Sequence, residues 1–209
     1  MKITLATIVL LSLACNFTTA QETKEPPLKY TIAIGDKSKV INADETTTIE
    51  GEFKNPKIRI TPSPFREFPY MGVKFNYPST FVFEADLSDV TSKSWTLTGN
   101  NLNVLLFEIA AEISTVEFAN SMIGEFGAEN AKISEANIKD KFGNLELPGS
   151  RLSITIGSAK LQMDIFKLPS KAGKTKLVVF QDNIENGKHS KEGIAVMKQV
   201  KSTFKFLEN

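Results

Sequence analysis

One histidine and one cysteine bound most of the side-chain chemistry open to this chain. His189 lies in Glu185-Asn-Gly-Lys-His189-Ser, a polar stretch that reads as a loop before the last helix. A histidine metal site needs further His or Cys ligands, and past Cys15 the sequence has none. A Ser/His/acid triad would have to use His189, yet no Gly-x-Ser-x-Gly elbow occurs. His189 is therefore expected to be a solvated loop residue. Oxygen-only chemistry has two settings. Glu84, Asp86 and Asp89 gather at a strand end, with Asn100, Asn101 and Asn103 in a nearby loop. Calcium takes roughly six to eight oxygens, but its usual loop is a denser D-x-D-x-D-G run, so a polar turn is expected. Lys167, Lys171, Lys174 and Lys176 flank a hairpin loop and could form a basic knob. With Asp164 and Asp182 within reach, a solvated face is the expectation. Walker and dinucleotide phosphate loops are missing. A carboxylate pair for glycoside hydrolysis needs no local motif and stays open. No catalytic, cofactor-binding or metal-ligating residue is assigned.

The N-terminus carries a different kind of signal. Lys2 precedes an apolar run from Ile3 to Ala14, and Thr18 and Ala20 form a small-x-small pair. These are the parts of a cleavable leader over residues 1–20. The run is about 12 residues, against the ~18–20 that a spanning helix needs. Cleavage after Ala20 is the expected route. Lipid attachment at Cys15 is the alternative, since Leu13-Ala14-Cys15 partly resembles a lipoprotein signal. Either route leaves the folded domain without a free thiol, which excludes disulfides, a thiolate nucleophile and cysteine metal ligands. Losing Lys2 with the leader brings the 25 basic residues to 24, against 24 acidic ones. That balance gives no electrostatic case for nucleic acid. No later segment is apolar enough to span a membrane as a helix.

The elements that must position any site follow from periodicity. Residues 21–28 read as a tether and 29–61 as an N-terminal β unit. Within that unit, strands are expected at Tyr30–Ile34, Lys39–Ile41, Thr46–Phe53 and Lys57–Ile60. Residues 62–70 hold all three prolines of Thr61–Tyr70 and read as a connector rather than a strand. Residues 71–209 form the main domain. Alternation at Val73, Phe75 and Tyr77, then Phe81 and Phe83, predicts two strands, and Gly99-Asn100-Asn101 predicts a tight turn before Asn103–Ile109. Ser114 and Glu117 have capping-box spacing, Gly127 is placed to stop that helix, and Ser190 caps a last helix with Ile194, Met197, Val200 and Phe204 on its apolar side. Between the helices, strands are expected at Leu152–Ile156, Leu161–Ile165 and Lys176–Phe180. Two helices among antiparallel strands give an α+β class, with the helices covering the sheet.

Residues 70–209 resemble the PsbP-like superfamily of α/β/α sandwiches, which includes many bacterial exported proteins. The likeness lies in Val73-Lys-Phe-Asn-Tyr-Pro78 followed by a strand, in the helix after Phe107-Glu-Ile109, and in the ending Gln199-Val-Lys-Ser-Thr-Phe-Lys-Phe206. It implies an accessory or binding role rather than a catalytic one, and carries over no functional residue. The functional expectation is an exported, non-enzymatic accessory or binding protein of the periplasm or extracellular space, with a protein or small ligand as partner. The alternatives are a carboxylate-dependent envelope hydrolase and a carrier of an apolar ligand.

Overall fold

A computed structural model of the chain describes residues 24–207. The expected leader, Cys15 and the cleavage site between Ala20 and Gln21 lie outside the described residues. In chain order the first strands are β1 (Lys29–Ile34), β2 (Lys37–Asn42), β3 (Ile58–Pro62), β4 (Phe65–Phe68) and β5 (Val73–Pro78). Then come β6 (Val82–Asp86), β7 (Ser92–Thr98), β8 (Leu102–Ile109) and helix α1 (Thr115–Phe126). After it run β9 (Ala131–Phe142), β10 (Leu145–Ile156), β11 (Ala159–Leu168), β12 (Thr175–Glu185) and β13 (Lys188–His189). Helix α2 (Lys191–Thr203) and β14 (Lys205–Phe206) complete the set.

The chain divides into two compact units, one centred on residues 82–140 and 146–193, the other on 26–81, 141–145 and 194–207. The second unit holds two three-stranded sheets, β2-β1-β3 and β14-β5-β4. Gly35-Asp36 turns β1 into β2, with Gly35 at φ 61°, a region open to glycine at no steric cost. Ile32 stands opposite Ile60, and Ile34 opposite Ile58, yet no residue of these three strands is buried. The expected strand at Thr46–Phe53 does not form. Lys37 Nζ instead donates to the Glu50 carbonyl at 2.6 Å, which holds that stretch as a loop. The proline-rich stretch, read as a connector, carries β4, which pairs with β5. Core packing in this unit is aromatic: Phe75 stacks on Phe68 and on Phe204, with centroids 4.9 and 5.4 Å apart. Met197 and Val200 of α2 are buried, whereas Ile194, expected beside them, is exposed.

The first unit is an eight-stranded antiparallel sheet in the order β6-β7-β8-β12-β11-β10-β9, with β13 pairing β12. The expected α+β class, a sheet covered by two helices in an α/β/α sandwich, is overturned. Strands take 52% of the described residues and helices 14%, in three sheets with two helices. The shortfall comes from β9 and β10, two 12-residue strands. β9 alternates charged and small residues along a mostly exposed strand, so it offers no apolar period to read.

Helix α1 packs on this sheet, and its start and stop obey local rules. The Ser114 hydroxyl accepts from Glu117 N, Glu117 Oε2 accepts from Ser114 N at 2.7 Å, and Gly127 at φ 89° ends the helix. Phe118 and Ala119 bury against Leu152, Ile165, Leu177 and Val179. Strand alternation sends Val178, Phe180 and Asp182 to the opposite face, together with their neighbours Leu106, Phe166 and Asp164. That opposite face holds the polar groups of interest.

Candidate functional site

Across the opposite face of the large sheet runs a continuous polar row. Its centre is Asp182, 1% exposed. Asn186 and Gly187, at φ 53° and 76°, make a two-residue turn that folds β13 back on β12. His189 and Ser190 are thereby returned to Asp182. His189 Nδ1 lies 2.8 Å from Asp182 Oδ2, which also accepts from Ser190 N at 3.0 Å. The Ser190 hydroxyl donates to Asp182 Oδ1 at 2.6 Å and accepts from Gly193 N at 2.8 Å. Ser190 is thus the N-cap of α2, and Asp182 caps the cap. A Cβ on Gly193 would run into the Asp182 carboxylate, so the first turn of α2 needs glycine there.

The row continues along β11 and β10. Gln162 Nε2 sits 3.0 Å from His189 Nε2 and 3.0 Å from Asp164 Oδ1. A carboxylate only accepts, so His189 donates from Nδ1 and its Nε2 accepts from the Gln162 amide. Arg151 forks Asp164, with Nε to Oδ1 at 2.7 Å and Nη2 to Oδ2 at 3.1 Å, and its Nη1 reaches Glu135. The Asp164 hydrogen bond and charge raise the Arg151 pKa further above its ordinary value. Nearby, Glu192 of α2 accepts from the amides of Asn101 and Leu102.

The expected solvated loop histidine is therefore a strand residue with both ring nitrogens engaged. Its partners stand 7 and 27 positions away in sequence. The Asn186-Gly187 pair was the signal for the turn that joins them.

The acidic and amide candidates are not brought together. Asp86 and Asp89 lie at one end of β7, and Asn100 and Asn101 at the other, roughly 20 Å along the strand. Asp86 Oδ1 accepts from Ser88 N and Oγ, and Asp89 Oδ1 from Thr91 N and Oγ. Hydrogen bonds from Ser88 hold the Asp86 pKa below its ordinary value, and those from Thr91 do the same for Asp89. Glu84 stands on β6 opposite Thr96. Two Asx-type turns thus brace the β6–β7 loop. No group of three His, Cys, Asp or Glu suited to a metal occurs among the described residues.

The lysines separate as well. Lys167 Nζ donates to the Ile113 carbonyl at 2.9 Å, while Lys174 and Lys176 reach Glu108 at 3.4 and 3.6 Å. Their acidic neighbour is Glu108, since Asp164 and Asp182 are held in the row. Leu87, Val90, Lys93, Glu108, Ala110 and Lys174 line an open groove of about 280 Å³.

Comparison with family models and with curated proteins gives no match to this chain. No helix among the described residues is long and apolar enough to cross a membrane.

Proposed function

We propose that this chain is an exported, non-enzymatic binding or accessory protein. The observation that carries the reading is where the Ser190 hydroxyl points. An activated serine needs its Oγ against an imidazole nitrogen. Here Oγ bonds Asp182 and Gly193 N, while His189 Nε2 faces Gln162. Ser190 is also 1% exposed, which denies it a substrate. The constellation has the residue types of a hydrolase and the wiring of a helix cap.

Two further features support the reading. The groove contains one carboxylate, Glu108, tied to two lysines, whereas glycoside hydrolysis uses a pair of carboxyls. A carrier of an apolar ligand would need room between sheet and helix, and the layer under α1 is filled by Phe118, Leu152, Ile165, Leu177 and Val179. The PsbP-like resemblance implies the same accessory role, although the fold attached to it is not the one observed. Export rests on the leader at residues 1–20. A mass measurement of the mature N-terminus separates its two forms, Gln21 for a free protein and an acylated Cys15 for a tethered one.

The central test is an assay of the purified mature protein on nitrophenyl esters and envelope glycan fragments. The expected result is no turnover above buffer, with Ser190→Ala lowering the unfolding midpoint. Turnover that Ser190→Ala or His189→Gln abolishes in a folded protein overturns the reading.

A further inference from the structure

The small sheet β2-β1-β3 has two outer edges, and they are finished differently. Along an antiparallel pair, opposite residues alternate between bonding each other and turning their amides outward. Ala43 N donates to the Leu28 carbonyl, so the next residue, Asn42, turns its N–H and C=O away from β1. Both groups are taken. Asn42 N donates to Glu45 Oε2 at 3.0 Å, and the Asn42 carbonyl accepts from Glu45 N at 3.2 Å. Lys37 and Lys39 add charge along the rest of β2. Such devices keep an edge strand from pairing with another chain.

The β3 edge is left open. Ser63 N donates to the Lys29 carbonyl at 2.8 Å, and by the same alternation Ile58, Ile60 and Pro62 turn their backbone groups outward. Pro62 has no N–H, so this edge offers two donors, Ile58 N and Ile60 N, against three carbonyl acceptors. Every residue of β3 is exposed, Ile58 at 60% and Ile60 at 62%. Arg59 is its one charged residue, whereas β6 and β9, the edges of the large sheet, carry two and five. The open edge is also self-complementary. Two β3 strands laid antiparallel about Ile60 place Ile60 opposite Ile60, Ile58 opposite Pro62, and Arg59 opposite Thr61 of the second copy. Each Ile60 N then meets the other Ile60 carbonyl, and each Ile58 N the other Pro62 carbonyl, so every outward donor is satisfied. No like charges stand directly opposite, and the isoleucines of both copies share one face.

We propose that β3 pairs antiparallel with β3 of a second copy of this chain, centred on Ile60, and joins two three-stranded sheets into one of six strands. Strands this short bury less than the ~1,200 Å² of a stable interface, so the dimer is weak and reversible, with a dissociation constant of about 0.1–1 mM.

Sedimentation velocity of the full mature protein, run from micromolar to millimolar concentration, tests it. The mean mass is expected to rise toward that of a dimer. Ile60→Lys sets two like charges opposite each other at the centre and should weaken association at least tenfold. Ile60→Pro should do the same by removing the central donors, while the single chain keeps its ladder because that N–H does not bond β1. Val40→Lys on β2, at a residue 60% exposed, should leave association unchanged. The β1 amide resonances report that each variant keeps its sheet. In a mixture of isotope-labelled and unlabelled protein, Ile58 should show a cross-peak to Pro62 of the other copy, a pair that within one chain lies roughly 13 Å apart along the strand. A protein that stays monomeric at about 1 mM, association untouched by Ile60→Lys, or no Ile58–Pro62 contact between copies overturns the proposal.

Discussion

The two ends of one sheet face treat charge in opposite ways. Around Asp182, Ser190 N, Ser190 Oγ and His189 Nδ1 all converge on one carboxylate, and Arg151 closes the row on Asp164. About 20 Å along β12, Lys174 and Lys176 converge on Glu108. The first end is closed. Its groups answer one another, so they add order to β10, β11, β12 and the start of α2 without inviting a ligand. The second end is open, and Lys93, Glu108 and Lys174 line a groove that solvent can enter. A cluster with the residue types of an active site is thus the scaffold here.

The contrast makes stability the measurement that separates the ends. Asp182→Ala leaves the Ser190 amide, the Ser190 hydroxyl and His189 Nδ1 without their acceptor, and should cost about 3 kcal/mol. Urea unfolding followed by Trp95 emission measures it, and a cost under about 1 kcal/mol would mean that the row does not anchor α2. Arg151→Met strands Asp164, 5% exposed at its side chain, with only Gln162 as donor. Because Arg151 is itself partly solvated, a loss nearer 2 kcal/mol is expected by the same assay. At the open end, Lys93→Gln and Lys174→Gln should each change stability by no more than about 0.5 kcal/mol. A large loss there would erase the distinction.

The smallest effect is local and depends on pH. Asp86 and Asp89 have folded pKa values held below their ordinary 3.8 by the Ser88 and Thr91 hydrogen bonds. A depressed carboxylate stabilises the loop above that ordinary value, and the contribution fades as pH falls through the folded value. The Ser88 and Thr91 amide resonances should therefore stay fixed from neutral pH to about pH 4 and move only below it. Asp86→Asn and Asp89→Asn keep an acceptor oxygen and should remove that titration.

Local chemistry was readable at several caps and turns, though the strand expected at Thr46–Phe53 does not form and the proline-rich connector carries β4. The Ser114/Glu117 box, the Gly127 stop, the Ser190 cap and the turn at Gly99 stand where spacing puts them. Two of the failures have a clear physical source. Charged alternation hid β9, because an exposed strand carries no hydrophobic period. Its absence made the chain look poorer in strand than it is. The site failed for a different reason: Gln162, Asp182 and His189 meet only through strand register, which no local pattern states. The one readable piece was Asn186-Gly187, a hairpin signal inside a stretch taken for a loop.

The buried row also bears on how the sheet is assembled. Side chains alternate between faces along a strand, so a slip of one residue in β10, β11 or β12 would move its whole polar set to the side of Phe118 and Ala119. Asp164 or Asp182 would then sit among apolar side chains with no donor, at a cost of several kcal/mol. Correct alignment is the arrangement in which both carboxylates find partners together. The row therefore penalises a shifted strand register. It favours the native register in a sheet whose neighbours β8 and β12 lie far apart in sequence.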